Sequence, residues 1–253
     1  MLNIKNVSFS YNNQPLLQNI CMNCNPGEIH VLLGKNGSGK STLLQCIAGI
    51  LHPQKGNIYI DQQDIIKMSP KIIAQRVALV QQTMQYSFSY TVEDMILMGR
   101  TSHLNFLGQL TQNDYAIAEE SLSLVGMATF KNRSYMELSS GEKQMILLAR
   151  ALCQKPKVLL LDEPNSHLDI PNQLKLLQTI TKLSKEKHWI TLAVLHTPEI
   201  AYWFADTVHL LLHGKIVYSG VPKDILTDKN LSEIYEIPIK TYHFTKNHIA
   251  ITI

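Results

Sequence analysis

Apolar positions along the chain change their period several times, and each change predicts a different element. Ile4, Val7 and Phe9 lie close to strand alternation, and Asn12-Asn13-Gln14-Pro15 and Pro26-Gly27 read as turns. Ile29–Leu33 is a short apolar strand. Leu43, Leu44, Ile47, Ala48 and Leu51 then recur at helical spacing, with Pro53 and Gly56 closing that helix before Ile58 and Ile60 alternate as a strand. From 86 to 150 the period stays helical, carried by Val92, Met95 and Ile96 and later by Ile117, Leu122 and Leu124. Residues 158–161 form an unbroken apolar run, as expected of a parallel strand covered on both faces. Pro171 opens a helix over 171–184 with Leu174, Leu177, Ile180 and Leu183 on its apolar side. A second buried strand follows at 190–195, and 208–212, His213-Gly214 and 216–218 predict a hairpin. Strands alternating with helices predict an α/β fold with a mainly parallel sheet.

Composition narrows the class. The 253 residues are 45% hydrophobic and 17% charged, which is ordinary for a globular chain. With 23 basic and 20 acidic residues, the net charge of +3 gives no argument for a nucleic-acid partner. No apolar run reaches the length of about 18 residues that spans a bilayer. The N-terminal residues show no basic stretch followed by an apolar one, so no secretory signal is expected. Cys21 and Cys24 make a lone C-x-x-C without a second pair; with Cys46 and Cys153 they read as free thiols of a reducing compartment.

Two segments carry chemistry. Gly34-Lys35-Asn36-Gly37-Ser38-Gly39-Lys40-Ser41 fits the phosphate-loop pattern G-x-x-x-x-G-K-[ST], placed between a strand and a helix. Glycines let backbone N–H groups wrap phosphate oxygens, and the following helix points its N-terminus at the same charge. Lys40 is the candidate for the β- and γ-phosphates, Ser41 for Mg²⁺ and Thr42 for the α-phosphate. The second segment is the acidic strand end Asp162-Glu163, where open α/β sheets place their ligands. Asp162 is the candidate Mg²⁺ holder and Glu163 the candidate general base that polarises an attacking water.

Leu138-Ser139-Ser140-Gly141-Glu142 resembles the signature segment of ATP-binding-cassette (ABC) ATPases, and other marks of that family fall in order around it. Tyr11 is similar to the aromatic that stacks on adenine, although a plain strand-edge aromatic is the other reading. Gln82 resembles the glutamine of the glutamine loop, with Gln81 as the neighbouring alternative. The segment 166–169, ending in Asp169, resembles the loop that crosses the dimer interface, and His196 resembles the switch histidine. The resemblance implies a P-loop cassette with an N-terminal antiparallel β part and an inserted helical subdomain. A nucleotide core over 1–85 and 151–225, a helical signature subdomain over 86–150 and a C-terminal tail over 226–253 would form one domain. It also implies ATP and Mg²⁺ as ligands, with Ser41, Gln82 and Asp162 around the metal and Glu163, His196 and Gln82 in catalysis. Two copies would pack head to tail, so that Ser139, Ser140, Gly141 and Glu142 of one act on the ATP of the other. Ser140 departs from the usual glycine; if that position needs a positive φ, serine costs a little strain there, which tunes activity without abolishing it. Asn165 departs from the usual Thr or Ser.

A narrower resemblance rests on 91–104 with Asp114, on 165–170 and on 220–227. These stretches are similar to importers of iron–siderophore, haem, cobalamin and related metal chelates, a subgroup that includes oxyanion importers such as those for molybdate. The expectation is the ATP-hydrolysing subunit of a bacterial importer, peripheral on the cytoplasmic face of the plasma membrane. Its partners would be two permease subunits and an external substrate-binding protein, with no nucleic acid. A soluble ABC ATPase acting in iron–sulfur assembly is the alternative. His103 is not expected to bind substrate, which does not have to reach this subunit.

Overall fold

The computed structural model describes residues 1–81, 89–105, 108–166, 168–245 and 248–252. Its elements run β1 (Leu2–Tyr11), β2 (Gln14–Cys24), β3 (Ile29–Leu33), α1 (Lys40–Ile47), β4 (Lys55–Ile60), β5 (Gln63–Asp64), α2 (Pro70–Arg76) and β6 (Val77–Val80). A helical stretch follows with α3 (Val92–Leu97), α4 (Gln112–Leu124) and α5 (Ser140–Cys153). The chain then returns to β7 (Val158–Asp162), α6 (Ile170–Glu186), β8 (Ile190–Val194), α7 (Pro198–Phe204), β9 (Thr207–Leu212) and β10 (Lys215–Gly220). It closes with α8 (Pro222–Ile225), α9 (Asp228–Tyr235), β11 (Lys240–Thr245) and β12 (His248–Thr252).

The larger sheet has the order β10-β9-β3-β8-β7-β6, parallel from β9 to β6 with β10 antiparallel at one edge. Alternate residues of its strands feed two separate cores, as the two-residue period of a strand demands. Leu32, Leu160, Leu192 and Leu211 face α1 and an antiparallel sheet of order β2-β1-β4-β5. Val31, Leu33, Leu159, Leu161, Ala193 and Leu210 face the opposite core, which includes α5, α6, α7 and α9. Because both faces are covered, β6 and residues 158–161 of β7 are apolar at every position.

Several local boundaries differ from the sequence expectation. Gln14 and Pro15 already belong to β2, so the first turn is Asn12-Asn13 alone, both at positive φ (47° and 64°), as a two-residue type I′ hairpin requires. His213-Gly214 repeats that conformation between β9 and β10. Strict alternation fails in β1 because its register on β2 shifts between Ile4 and Val7, around Asn6 at φ 50°. The helix after the phosphate loop stops at Ile47, not at Pro53. Gly49 takes φ 70°, and Ile50 N–H turns back to the Gln45 carbonyl at 3.0 Å. Pro171 is the second residue of α6, because Asp169 caps that helix by accepting from Asn172 N–H at 3.0 Å.

In the helical stretch, α3, α4 and α5 each begin with a capping box: Thr91 with Asp94, Thr111 with Asp114, and Ser139 with Glu142. Asp114 also receives Arg100 Nε at 2.8 Å, a buried ion pair. The Arg100 Nη1 goes on to the Cys153 carbonyl at 2.8 Å, at the end of α5. Hydrogen bonds from Thr111 and Arg100 hold the Asp114 carboxyl down at about 2. His103 Nε2 meets the Gln154 carbonyl at 2.9 Å, so it packs against the same helix end. The subgroup-like stretch 91–104 thus builds the junction between α3, α4 and α5.

Two histidines are buried between the sheets. His30 on β3 and His209 on β9 lie with Nδ1 and Nε2 3.1 Å apart. His30 Nε2 meets Glu28 Oε2 at 3.1 Å, and His209 Nδ1 meets Ser219 Oγ at 2.7 Å. Burial, with the His30 charge adding, pushes His209 down to about 3. Burial also lowers His30, against the opposing charges of Glu28 and Asp206. Both rings are therefore neutral in the folded protein near pH 7. Below about pH 6.5 the unfolded chain binds protons that the folded pair resists, so stability falls as pH falls, by up to about 1.4 kcal/mol per pH unit for each ring. Urea unfolding at about pH 7.5 and about pH 5.5 is expected to give a lower unfolding free energy at the acid end. Equal values would contradict a neutral buried pair.

Candidate active site

β3 carries the chain from the buried sheet directly into the loop 34–39, and α1 starts at Lys40. Two glycines of the loop are needed for space. A Cβ at Gly34 would collide with the Leu211 carbonyl oxygen. One at Gly39, which caps α1 at φ 103°, would come within 2.6 Å of Leu17 Cδ2. Lys40 is buried, and its Nζ donates to the carbonyls of Gly34 at 2.7 Å and Lys35 at 2.9 Å. Burial lowers its pKa, while the charges of Glu163 and Asp162 work the other way. The ammonium is thus held on carbonyl oxygens at the start of the loop, facing two carboxylates.

The acidic strand end completes the site. Ser41 Oγ donates to Asp162 Oδ1 at 3.0 Å, linking the first turn of α1 to the end of β7. Burial raises the Asp162 pKa, the Ser41 hydrogen bond lowers it, and the neighbouring Glu163 charge raises it again. Glu163 takes φ 52°, an unusual backbone for a non-glycine residue, and its N–H donates to the Val194 carbonyl at 3.1 Å. That twist at the strand end brings its carboxylate to His196 Nε2, while Ser166 Oγ donates to its other oxygen at 3.2 Å. Leu16, Asn36, Gly37, Gly39, Lys40, Ser41, Thr42, Glu163 and His196 line one cavity of about 460 Å³, within the range of small-molecule sites.

The site thus unites Lys40, Ser41, Thr42, Glu163 and His196, with Asp162 one hydrogen bond behind. Leu16 escaped the sequence reading; it enters because the β1–β2 hairpin leans on the loop, its carbonyl 3.3 Å from a Cβ at Gly39. Tyr11 is half exposed at the end of β1, edge-on to Phe9 with ring centroids 4.8 Å apart, and does not line the cavity. The Lys35 side chain also stays outside it. Gln82 lies outside the described residues.

Ser139, Ser140, Gly141, Glu142 and Asp169 do not line the cavity either. They form the adjoining N-termini of α5 and α6, where a Cβ on Gly141 would meet Asn172 Cγ at 2.7 Å. Ser140 is the first residue of α5 and has helical backbone, so the strain feared for a serine at a positive φ does not arise. Glu142 Oε2 accepts from Ser139 N–H at 2.8 Å, which lowers its pKa and makes it the closing half of the capping box.

The donor set suits a magnesium–nucleotide ligand. Ser41 and Asp162 offer hard oxygen ligands, and the hydroxyl of Ser38 within the loop is buried and finds no hydrogen-bond partner among the described residues. Residues 17–166 match the ABC transporter family. This chain belongs to that family. It is 32% identical over 242 residues to the petrobactin import ATP-binding protein of Bacillus anthracis, covering 96% of this chain and 89% of the relative. With the hemin import ATP-binding protein of Hahella chejuensis it shares 34% identity over 238 residues, or 91% of each chain. A solved metal-chelate type ABC transporter in an inward-facing conformation superposes with a TM-score of 0.87 at 29% identity, over 100% of this chain and 97% of that one. The fold is therefore that of an ABC ATPase cassette, and the resemblance to the metal-chelate importer subgroup holds across the chain.

Lys40→Ala is expected to weaken binding of a fluorescent ATP analogue about ten- to hundred-fold, the value of charge-assisted hydrogen bonds. Unchanged affinity in a titration would remove Lys40 from the phosphate site.

Proposed function

We propose that this chain is the ATP-hydrolysing subunit of a bacterial ABC importer for a metal chelate such as a siderophore, haem or cobalamin. A related oxyanion such as molybdate belongs to the same reading. The observation that carries the ATPase part is the convergence of Lys40, Ser41, Glu163 and His196 on one cavity, with Asp162 behind it. The importer part is supported by relatives named for petrobactin and hemin import and by the metal-chelate type structural neighbour.

In this reading the loop N–H groups, the start of α1 and Lys40 hold the phosphates. Ser41 and Asp162 hold Mg²⁺, with Gln82 as a third expected contact; bound there, the ion offsets negative charge on the β- and γ-phosphates. Glu163 takes the proton of the attacking water as general base. His196 and Ser166 orient its carboxylate, and His196 reaches the γ-phosphate as well. Tyr11 contributes the adenine stack at the rim.

The cassette acts as a head-to-tail homodimer. Ser139, Ser140, Gly141 and Glu142 lie away from the cavity of their own chain, which suits a role at the ATP of the second copy. Asp169, at the adjoining helix start, belongs to the same interface. Two permease subunits dock on the helical side, and an external binding protein delivers substrate. No described helix is long and apolar enough to cross a membrane, in keeping with a peripheral subunit on the cytoplasmic face.

Glu163→Gln is expected to cut ATP turnover at least about hundred-fold while leaving ATP binding intact, so that an ATP-bound dimer accumulates in size-exclusion chromatography. Turnover at the parent rate would exclude Glu163 as base. Detergent extraction of a tagged copy from its host, followed by native mass spectrometry, is expected to yield two copies of this chain with two copies of a many-helix membrane protein. Recovery with soluble partners alone would overturn the importer reading and leave the ATPase intact.

A further inference from the structure

The phosphate loop is tied to a residue 201 positions later in the chain. Lys35 turns its side chain away from the cavity, and its Nζ donates to Glu236 Oε2 at 2.6 Å. The other carboxylate oxygen of Glu236 lies 3.6 Å from His213 Nε2, on the β9–β10 turn. That turn and its strand already back the loop. A Cβ at Gly34 would strike the Leu211 carbonyl, and one at Gly214 would strike the Leu16 carbonyl. The carboxylate therefore joins the loop to the structure behind it.

Three further observations give the contact consequence. The carbonyl of Lys35 accepts from Lys40 Nζ at 2.9 Å and from Ser38 N–H at 3.2 Å, so a fixed Lys35 fixes an acceptor of the phosphate-binding ammonium. Glu236 caps α9 at φ 56°, a left-handed position where glycine is usual, so a non-glycine there needs a reason beyond ending the helix. The helix that presents it is firmly seated, with Leu231 and Ile234 fully buried and Asp228 Oδ1 accepting from Thr241 N–H at 2.7 Å.

We propose that Glu236 is a positioning residue for the nucleotide site: held against Lys35, its carboxylate fixes the phosphate loop in its receiving shape before the nucleotide arrives. The proposal rests on the ATP-binding reading given above. A loop ordered in advance loses less conformational freedom on binding, so removing the tether weakens affinity and leaves the hydrolytic groups in place. Both partners are about half exposed, so the effect is modest and screened by salt.

The test uses the intact chain, a fluorescent ATP analogue and thermal unfolding. Glu236→Gln removes the charge. Glu236→Gly removes the whole side chain while supplying the residue that the left-handed cap prefers. Both variants are expected to bind the analogue about two- to five-fold more weakly than the parent at low ionic strength. The difference should shrink towards one in about 0.5 M KCl. Glu236→Gly should show a melting temperature no lower than the parent, which separates a positioning role from a loss of fold. Glu233→Gln, on the same helix but bonded to Tyr218, should bind as the parent does. Unchanged or tighter binding by the two Glu236 variants overturns the proposal, tighter binding being the result if Glu236 merely neutralises Lys35. A parent protein that fails to bind the analogue overturns the ATP reading itself.

Discussion

Burial of a parallel sheet on both faces is the constraint from which the rest of this structure follows. Leu32 and Val31 on β3, Leu160 and Leu161 on β7, and Leu192 and Ala193 on β8 enter opposite cores in turn. Such strands have little room for charge along their length, so the ionised groups collect where the strands end. Leu33 hands over to the phosphate loop, β7 ends in Asp162 with Glu163 next, and His196 follows β8 by two residues. The site is the shared carboxyl edge of three neighbouring strands.

Features fixed by local spacing were legible in the sequence. The loop 34–41 and the pair Asp162-Glu163 need only a strand, a turn and a helix in known order, and both stand where the pattern put them. The turn at Asn12-Asn13 and the hairpin around His213-Gly214 were legible because Asn and Gly accept positive φ, although Gln14 and Pro15 proved to belong to a strand. Features set by distant packing were not. The short strand β6 is defined by its pairing to β7, and its four residues carry no period of their own. Nor did periodicity foretell that 226–253 holds a helix and a hairpin, or that Lys35 turns away from the cavity towards Glu236. The end of α1 shortly before Gly49 was legible in principle, since a glycine after an apolar helical run is a stop signal, though a less conspicuous one than Pro53.

The signature segment shows how a departure from a family pattern is judged by local geometry. Ser140 stands where glycine is usual, yet the backbone there is helical and costs a serine nothing. The glycine that does matter is Gly141, pressed against Asn172 of α6. Ser139 and Glu142 close the helix start on each other, as Thr91 with Asp94 and Thr111 with Asp114 do nearby. The repeated Ser/Thr-x-x-Asp/Glu spacing is present in the sequence and marks the starts of α3, α4 and α5, the α-helices among the described residues of this region.

The row of groups from Glu28 to Ser219 has a direction. A carboxylate can only accept, so the hydrogen on His30 sits on Nε2, and Nδ1 must take one from His209. His209 therefore also carries its hydrogen on Nε2, and its Nδ1 accepts from the hydroxyl of Ser219. Both imidazoles are locked in the same tautomer, and the three hydrogen bonds point one way from the edge strand β10 across to the start of β3. Reversing any single member would set two donors or two lone pairs face to face. Across this edge of the sheet, hydrogen-bond polarity selects one arrangement where shape alone would permit several.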